Sequence, residues 1–548
     1  MFFKIPLQRI NNSAYGYFEA VYNIYIPIYI VSTAGFPVAV SRMVSQSLAL
    51  GRYRDIRAIK RVVNRVFLLT GSCGMLAMVI ASFFYPDYVG MPNIRLTMLV
   101  MAPSVFFCCI ATAYRGIYEG SRNMIPTAIS QTLEAIGKLL FGLALAAGAL
   151  HLGQWQFEHG FKVFGKTAET AQQALDISLP YIAAGGMVGV TAGSFFSFSY
   201  LLARYRRFGS GISKQELESS PPPYPVRSIF RMLLKIAFPI AIGTLATELT
   251  TMIDVVSLQK SLAVVYDRHG DIIREIYSSA IAQSRTNDVL AFLTGNRGIA
   301  MTFVNLVPNI TLTFGISALP VITSAWALKD KKQLRKMVST VLRITVMVAL
   351  PAGLGLSVLA KPILNLIYEP HNVVVAGPQL QVLGLAVVFI CLVAPINAML
   401  QAIGRADVPA KIVLVGGAVK LVLNVLLIQN PYINIMGSAY STFACYIVMV
   451  VLSLYSLFKV VKARIYWKSA FLKPLIASIL CIAAAWAANG LLARVISAKL
   501  AVVIAIAAAV IVYLLALLWI KAIKREDVLM LPKGQKIAQI LEKYDWIG

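Results

Sequence analysis

The sequence is short of charge, of histidine and of paired cysteine, and each shortage excludes a class of protein. Only 13% of the 548 residues are charged and the mean hydropathy is +0.74, which excludes an ordinary soluble globular protein. The four histidines are scattered and the six cysteines show no CxxC spacing, so no metal centre or redox pair is predicted. No DxD or HExxH pattern occurs either, so the sequence does not predict an enzyme.

Apolar stretches long enough to cross a bilayer occupy almost the whole chain. A helix needs about 20 apolar residues to cross about 30 Å of hydrocarbon. The sequence predicts thirteen such spans, at 17–41, 62–85, 96–114, 126–150, 179–203, 232–259, 289–325, 338–360, 374–403, 409–428, 434–458, 470–492 and 500–520. We therefore expect an all-α polytopic membrane protein.

The chain has 50 lysines and arginines against 23 acidic residues, but their distribution does not indicate nucleic-acid binding. The basic residues concentrate in alternate loops, at 42–65, 204–235, 329–343 and 459–468. The positive-inside rule predicts that these loops, and the C-terminal tail at 523–548, face the cytoplasm.

Two parts of the chain repeat each other at an offset of 283 residues. The segment GFPVAVSRMV places Pro37 where ALPVITSAWA places Pro320. At the same offset, RNMIPTAI pairs with RADVPAKI, which aligns Pro126 with Pro409. Matches in the same order predict two related, pseudo-symmetric lobes.

The repeat divides the chain into an N-lobe at 1–205, a cytoplasmic linker at 206–229 and a C-lobe at 230–460. Two further helices fall within 461–522, and the tail at 523–548 follows. Six helices in the N-lobe require that the opening MFFKIPLQRI is the outer half of a truncated first helix, which gives about fourteen in all. Either the natural start lies upstream of Met1, or the protein works with a shortened helix. Six helices per lobe place the pseudo-two-fold axis along the membrane normal, as in transporters.

Three segments carry a family resemblance: FKIPLQRI, YRGIYEGSRNMIPTAISQTLEAI and FLTGNRGIAMTFVNLVPNITLTFGISALPVITSA. They resemble the multidrug/oligosaccharidyl-lipid/polysaccharide (MOP) exporter superfamily, and within it the Gram-positive lipid II flippases and the stage V sporulation protein B group. The resemblance implies a flippase of the bacterial plasma membrane with a cationic central cavity. It would move an undecaprenyl-pyrophosphate-linked peptidoglycan precursor, or a related lipid-linked oligosaccharide, to the outer leaflet by alternating access.

The same resemblance implies a role in polysaccharide biosynthesis and the cell wall, in cell shape or in sporulation. It implies a monomer surrounded by membrane lipids and working beside the cell-wall synthesis machinery. No cofactor is predicted. Two sources of energy for transport are expected as alternatives: coupling to Na⁺ or H⁺, or the membrane potential alone.

Ionisable residues within spans are expensive unless they are paired or line water, so they are the first candidates for a site. The resemblance implies that Lys4 and Arg297 bind the lipid pyrophosphate. A planar guanidinium suits this role because it donates two parallel hydrogen bonds to phosphate oxygens. The alternative for both residues is a side chain that extends to the membrane surface.

Five more polar residues within spans are candidate coupling or cavity groups. Glu134 and Lys138 stand four residues apart, which predicts a structural ion pair on one helix face or a cavity charge pair. Asp254 lies in the first span of the C-lobe, and Lys420 and Asn424 stand four apart on a later span. Some members of the family resembled here bind sodium at such places. The hypothesis is that Lys420 replaces the ion and pairs with Asp254.

The main alternative to a lipid flippase is a cation-coupled multidrug exporter of the same fold. Such an exporter needs an acidic cavity, and Glu19, Glu134, Glu248 and Asp254 keep that alternative open. The additional pair of C-terminal helices and the Arg297 region favour the flippase.

Overall fold

The protein was analysed as a computed structural model. It describes residues 3–33, 35–121, 123–209, 213–284, 288–405, 407–461, 471–494, 496–525, 527 and 539. Within these ranges, the side chains of 214, 239–240, 242–247, 249, 312–321 and 327 are not described.

The described residues are almost entirely helical, which confirms the predicted all-α fold. Within them the only extended pairing is the β-bridge between Val163 and Lys166. The helices are α1 Lys4–Ile10, α2 Asn12–Thr33, α3 Phe36–Ala49, α4 Tyr53–Tyr88, α5 Arg95–Gly120, α6 Ile125–Glu158, α7 Ala171–Phe208, α8 Lys214–Glu218, α9 Val226–Ile276, α10 Ser278–Ser284, α11 Val289–Val304, α12 Leu306–Ala327, α13 Lys331–Val358, α14 Ala360–Asn365, α15 Pro370–Ala402, α16 Asp407–Ile428, α17 Met436–Val461, α18 Lys473–Leu492 and α19 Ala498–Trp519.

Twelve of the thirteen predicted spans correspond to helical segments of the described chain that are long and apolar enough to cross a membrane. The thirteenth, 232–259, lies in α9, where several side chains fall outside the described ones. The first predicted span, 17–41, is divided between α2 and α3. Gly35 adopts a left-handed φ of 75° and Pro37 lies in the first turn of α3. Because both residues favour a new helix start over continuation, α2 ends before them.

The chain forms two compact units. The first comprises Met1–Gly270 and Ile281–Gly298, and the second comprises Asp271–Ala280 and Ile299–Gly548. Part of α9 belongs to the first unit, where the Tyr85 hydroxyl of α4 donates to the Gln259 side chain. The lobe boundaries derived from the repeat stay a prediction. The repeat relates two parts of the sequence to each other, whereas the two units are defined by which residues pack together, so the units do not test the lobes.

The described part of the linker is fixed to the start of α4 in the first unit. Ser213 caps α8 by accepting a hydrogen bond from the Glu216 N–H, and the Glu216 carboxylate accepts one from the Ser213 N–H. Asp55 accepts a hydrogen bond from the Tyr224 N–H at 2.8 Å, and the Arg52 guanidinium lies 3.7 Å from the centre of the Tyr224 ring. The Gly, Ser and Pro content of the linker predicts flexibility but does not reveal these contacts.

In the second unit, the last two helices and the chain after them pack against α13. Met347, Ala477, Cys481 and Tyr513 belong to one buried apolar cluster, and the Tyr513 hydroxyl donates to the Met347 carbonyl at 2.6 Å. Beyond α19, the Asp527 carboxylate accepts two hydrogen bonds from Arg343, at 2.7 and 2.6 Å. Both side chains are buried. This bidentate pair therefore attaches the C-terminal segment to α13.

We expect Asp527→Asn to destabilise the second unit. Asparagine cannot neutralise Arg343, and an uncompensated buried charge costs about 3–5 kcal/mol. The measurement is the midpoint of thermal unfolding of the purified protein in detergent, which should fall. The matched control is Asp407→Asn, since Asp407 pairs with Arg405 and Lys411 on an exposed surface where ion pairs contribute little. Equal midpoints for the two variants would contradict the prediction.

Candidate functional site

The site begins at the turn between α1 and α2. Asn11 adopts an extended conformation, and its side-chain oxygen accepts a hydrogen bond from the Ala14 N–H at 2.9 Å. This is the role that asparagine plays at a helix start, so α2 begins here. The turn brings α1 against α2, and the Lys4 ammonium donates to the Glu19 carboxylate at 2.9 Å.

Glu19 is buried, with 6% of its side chain exposed, and it has two donors on one oxygen. The second donor is the Tyr15 hydroxyl, one turn earlier on α2, at 2.6 Å. A carboxylate removed from water needs such partners to stay ionised at low cost. Glu19 is therefore an acceptor held in place between α1 and α2.

Arg297 lies on α11, is 7% exposed, and interacts electrostatically with the same carboxylate. α11 reaches this position because it crosses α2 very closely. A Cβ atom added to Gly16 of α2 would lie 1.9 Å from the Ala291 carbonyl oxygen. The two residues predicted to bind phosphate, Lys4 and Arg297, thus both interact with one acidic residue, Lys4 through a hydrogen bond and Arg297 through its charge.

An aromatic stripe runs along α2 from this charged group. Neighbouring rings have centroids 5.5 to 6.0 Å apart, and the stripe comprises Tyr15, Phe18, Tyr22, Tyr25 and Tyr29. Spacings of three and four residues place these rings on one helix face. The Tyr29 hydroxyl shares a hydrogen bond with Thr112 at 3.1 Å, which connects the far end of the stripe to α5.

A second charged group lies around Arg115 of α5. Its guanidinium donates to Ser130 and Glu134 of α6 and to Ser197 of α7, at 3.0, 2.8 and 2.8 Å. Glu134 thus pairs with Arg115 and not with Lys138, the predicted partner. Sequence reasoning missed Arg115 because the predicted span ends at 114, whereas α5 continues to Gly120.

Lys138 points towards α2. Its ammonium nitrogen lies 5.9 Å from the centre of the Tyr22 ring, and the Lys4 nitrogen lies 5.2 Å from the same centre. Both distances are in the range of cation–π attraction. Lys138 therefore belongs to the same group of residues as Lys4.

Comparison with known proteins gives two family models that match separate parts of the chain. Residues 3–155 match the family "Polysaccharide biosynthesis protein", and residues 306–487 match "Lipid II flippase MurJ". Two relatives come from Bacillus subtilis strain 168. The lipid II flippase MurJ is 25% identical, over 78% of this chain and 74% of the relative. Stage V sporulation protein B is 22% identical, over 74% of this chain and 69% of the relative.

The two matched families and these relatives support the MOP exporter superfamily and, within it, the group of the lipid II flippases. The chain is a multi-pass protein of the bacterial membrane, and a transporter and not an enzyme. The predicted resemblance and the predicted class of membrane transporter are confirmed.

Solved structures show the same fold as this chain. A lipid II flippase MurJ in an inward closed conformation superimposes with a TM-score of 0.59 at 14% identity, over 94% of each chain. An inward-facing multidrug resistance MATE family transporter gives 0.58 at 12% identity, over 84% of this chain and 93% of the transporter. The fold is therefore common to flippases and drug exporters, so the two functions have to be distinguished by the side chains of the site.

Three further predicted site residues lie on other helices than those of the group around Glu19. Asp254 lies on α9 in the first unit, whereas Lys420 and Asn424 lie on α16 in the second. Asn424 is fully buried and accepts a hydrogen bond from the Ser441 hydroxyl. The pairing of Lys420 with Asp254 stays a prediction.

One loop of the chain matches a nucleotide-binding pattern by its sequence letters alone. GFKVFGKT at 160–167 fits GxxxxGK[ST], the phosphate-binding loop. That loop joins a strand directly to the first turn of a helix. Here the segment follows α6, contains the Val163–Lys166 bridge, and is separated from the start of α7 at Ala171. The match therefore does not build a nucleotide site.

Proposed function

We propose that this flippase translocates lipid II, the undecaprenyl-pyrophosphate-linked precursor of peptidoglycan, or a closely related lipid-linked oligosaccharide. The direction is from the inner to the outer leaflet, by alternating access. The observation that carries the proposal is the convergence of Lys4 and Arg297 on the buried Glu19. The lipid II flippase among the curated relatives supports the same substrate class.

The chemistry of the group suits a diphosphate. Before substrate binds, Glu19 offsets one of the two cations, which lowers the cost of burying them. A pyrophosphate carries more negative charge than one carboxylate and replaces it as acceptor for the Lys4 ammonium. Arg297 contributes the planar donor pair that phosphate oxygens accept.

The membrane potential can drive this transport. Moving an anionic headgroup outward through an inside-negative potential is favoured by about 2.3 kcal/mol per charge per 100 mV. The basic loops predict that the tail at 523–548 faces the cytoplasm. Fusing a reporter to the C-terminus would establish that orientation.

The test is complementation in a bacterium whose own lipid II flippases have been depleted. We expect expression of this chain to restore growth and to expose lipid II at the outer leaflet, where an externally added lipid II hydrolase can cleave it. Failure to restore exposure, with the protein present in the membrane at normal amount, would overturn the proposed substrate.

The multidrug exporter alternative makes an opposite prediction for Glu19. A cation-coupled exporter needs the carboxylate for coupling, so Glu19→Gln would abolish its transport. In the proposed flippase, Glu19→Gln leaves Lys4 and Arg297 in place, and we expect translocation to fall far less than in Lys4→Gln. A larger loss in Glu19→Gln than in Lys4→Gln, with efflux of cationic dyes by the wild type, would favour the exporter.

A further inference from the structure

Two lysines from different helices of the first unit meet at one tyrosine ring. Lys4 of α1 and Lys138 of α6 place their nitrogens 5.2 and 5.9 Å from the centre of Tyr22. The helices themselves are in contact, because the Phe3 ring lies against the backbone at Gly142, one turn beyond Lys138. Like charges repel, so two ammonium groups at one partly exposed ring favour an anion between them.

The position of Lys138 depends on the partner that Glu134 takes. Glu134 and Lys138 are four residues apart on α6, which is the spacing of a helical ion pair. In the structure, Arg115 holds the Glu134 carboxylate at 2.8 Å. Since Ser130 and Ser197 orient the same guanidinium, the arrangement keeps Glu134 directed to Arg115. Lys138 is then directed towards Tyr22 and Lys4.

The internal repeat shows that this arrangement is not needed to fold a helix pair of this kind. At the offset of 283 that aligns Pro126 with Pro409, Arg115 corresponds to Ala398 and Glu134 to Gly417. Lys138 corresponds to Leu421. The equivalent helices α15 and α16 thus form with apolar or small residues at all three positions. The charges of the first copy are therefore open to a role in function.

We propose that Lys138 forms, with Lys4, a clamp for the lipid pyrophosphate, and that Arg115 is a positioning residue that keeps Glu134 from neutralising Lys138. The inference rests on the proposed function and extends it to a second arm of the site. Each ammonium donates to one phosphoryl group, with Arg297 and Glu19 setting the charge around Lys4. Diphosphate is thereby preferred over monophosphate, which offers one group for two donors.

The test measures binding of undecaprenyl pyrophosphate and undecaprenyl phosphate to the full chain in nanodiscs of neutral lipid. We expect Lys138→Gln to weaken binding of the diphosphate by about tenfold or more, as for the loss of one charge-assisted hydrogen bond. Binding of the monophosphate should weaken much less. Lys138→Arg should retain most of the diphosphate affinity, and the thermal unfolding of each variant shows that it is folded.

Arg115 supplies the decisive pair of variants. Arg115→Gln should weaken diphosphate binding about as much as Lys138→Gln, because Glu134 then pairs with Lys138. Adding Glu134→Gln to Arg115→Gln should restore the affinity, which a merely structural ion pair would not do. Unchanged affinity in Lys138→Gln, or a double variant as weak as Arg115→Gln, would overturn the clamp while leaving the flippase proposal intact. A wild type that binds no undecaprenyl pyrophosphate would overturn both.

Discussion

Replacing Arg297 by glutamine should reduce translocation of lipid II by about a hundredfold, the effect of two charge-assisted hydrogen bonds lost together. Arg297 is 7% exposed, and its charge acts on the Glu19 carboxylate to which Lys4 donates a hydrogen bond. Without it, Glu19 and Lys4 neutralise each other, and the group keeps only Lys138 as an uncompensated cation. The measurement is outer-leaflet exposure of lipid II in the depleted strain.

Two variants control for this result. Arg297→Lys keeps the charge but loses the planar donor pair, so it should retain part of the activity. Arg95→Gln removes an arginine whose side chain is 44% exposed and whose partner is Asp87, also exposed. We expect that variant to transport normally. If the Arg297→Gln and Arg95→Gln variants were present in the membrane at equal amounts and exposed equal amounts of lipid II, Arg297 would have no part in substrate binding.

Gly16→Leu should prevent the first unit from folding. A Cβ atom at Gly16 would already lie 1.9 Å from the Ala291 carbonyl oxygen, and backbone cannot move aside as a flexible side chain can. Overpacking a tight interface usually costs about 1–3 kcal/mol, and forcing two helix backbones apart costs more. The same separation would remove Arg297 from Glu19. We expect little monodisperse protein after purification, and no restored growth.

The matched control is Gly148→Leu, also a substitution of glycine within a membrane-spanning helix. Gly148 lies on α6 with nothing within 4 Å of its added Cβ. This variant should accumulate and transport as the wild type does. Equal yields of Gly16→Leu and Gly148→Leu would show that α2 and α11 do not need their close crossing.

Much of the fold could be predicted from hydropathy, since a membrane span is a property of consecutive residues. The described helices reproduce twelve predicted spans. The helix ends were predicted less well than the helices themselves. A span predicted from hydropathy ends at the first charged residue, whereas the helix continues past that residue. Arg115 was missed for this reason, because it directly follows the predicted end of the span at 114 but lies inside α5.

The candidate site was only half predictable. The family motifs and the cost of charge in a membrane identified Lys4, Arg297, Glu134 and Lys138 as candidates. Spacing along the sequence then predicted that Glu134 pairs with Lys138, because a single helix makes neighbours only of residues three or four positions apart. The pair that forms, Glu134 with Arg115, joins residues 19 apart on two helices.

By itself the sequence determined that the protein is an all-α membrane transporter, with Lys4 and Arg297 as its candidate basic residues. The tertiary structure alone decided which charges meet. Lys4 and Arg297 are 293 positions apart, and what brings both to Glu19 is the turn at Asn11 and the close crossing at Gly16. The physical reason is that helix periodicity fixes neighbours within a helix, whereas contacts between helices depend on where small residues let backbones approach.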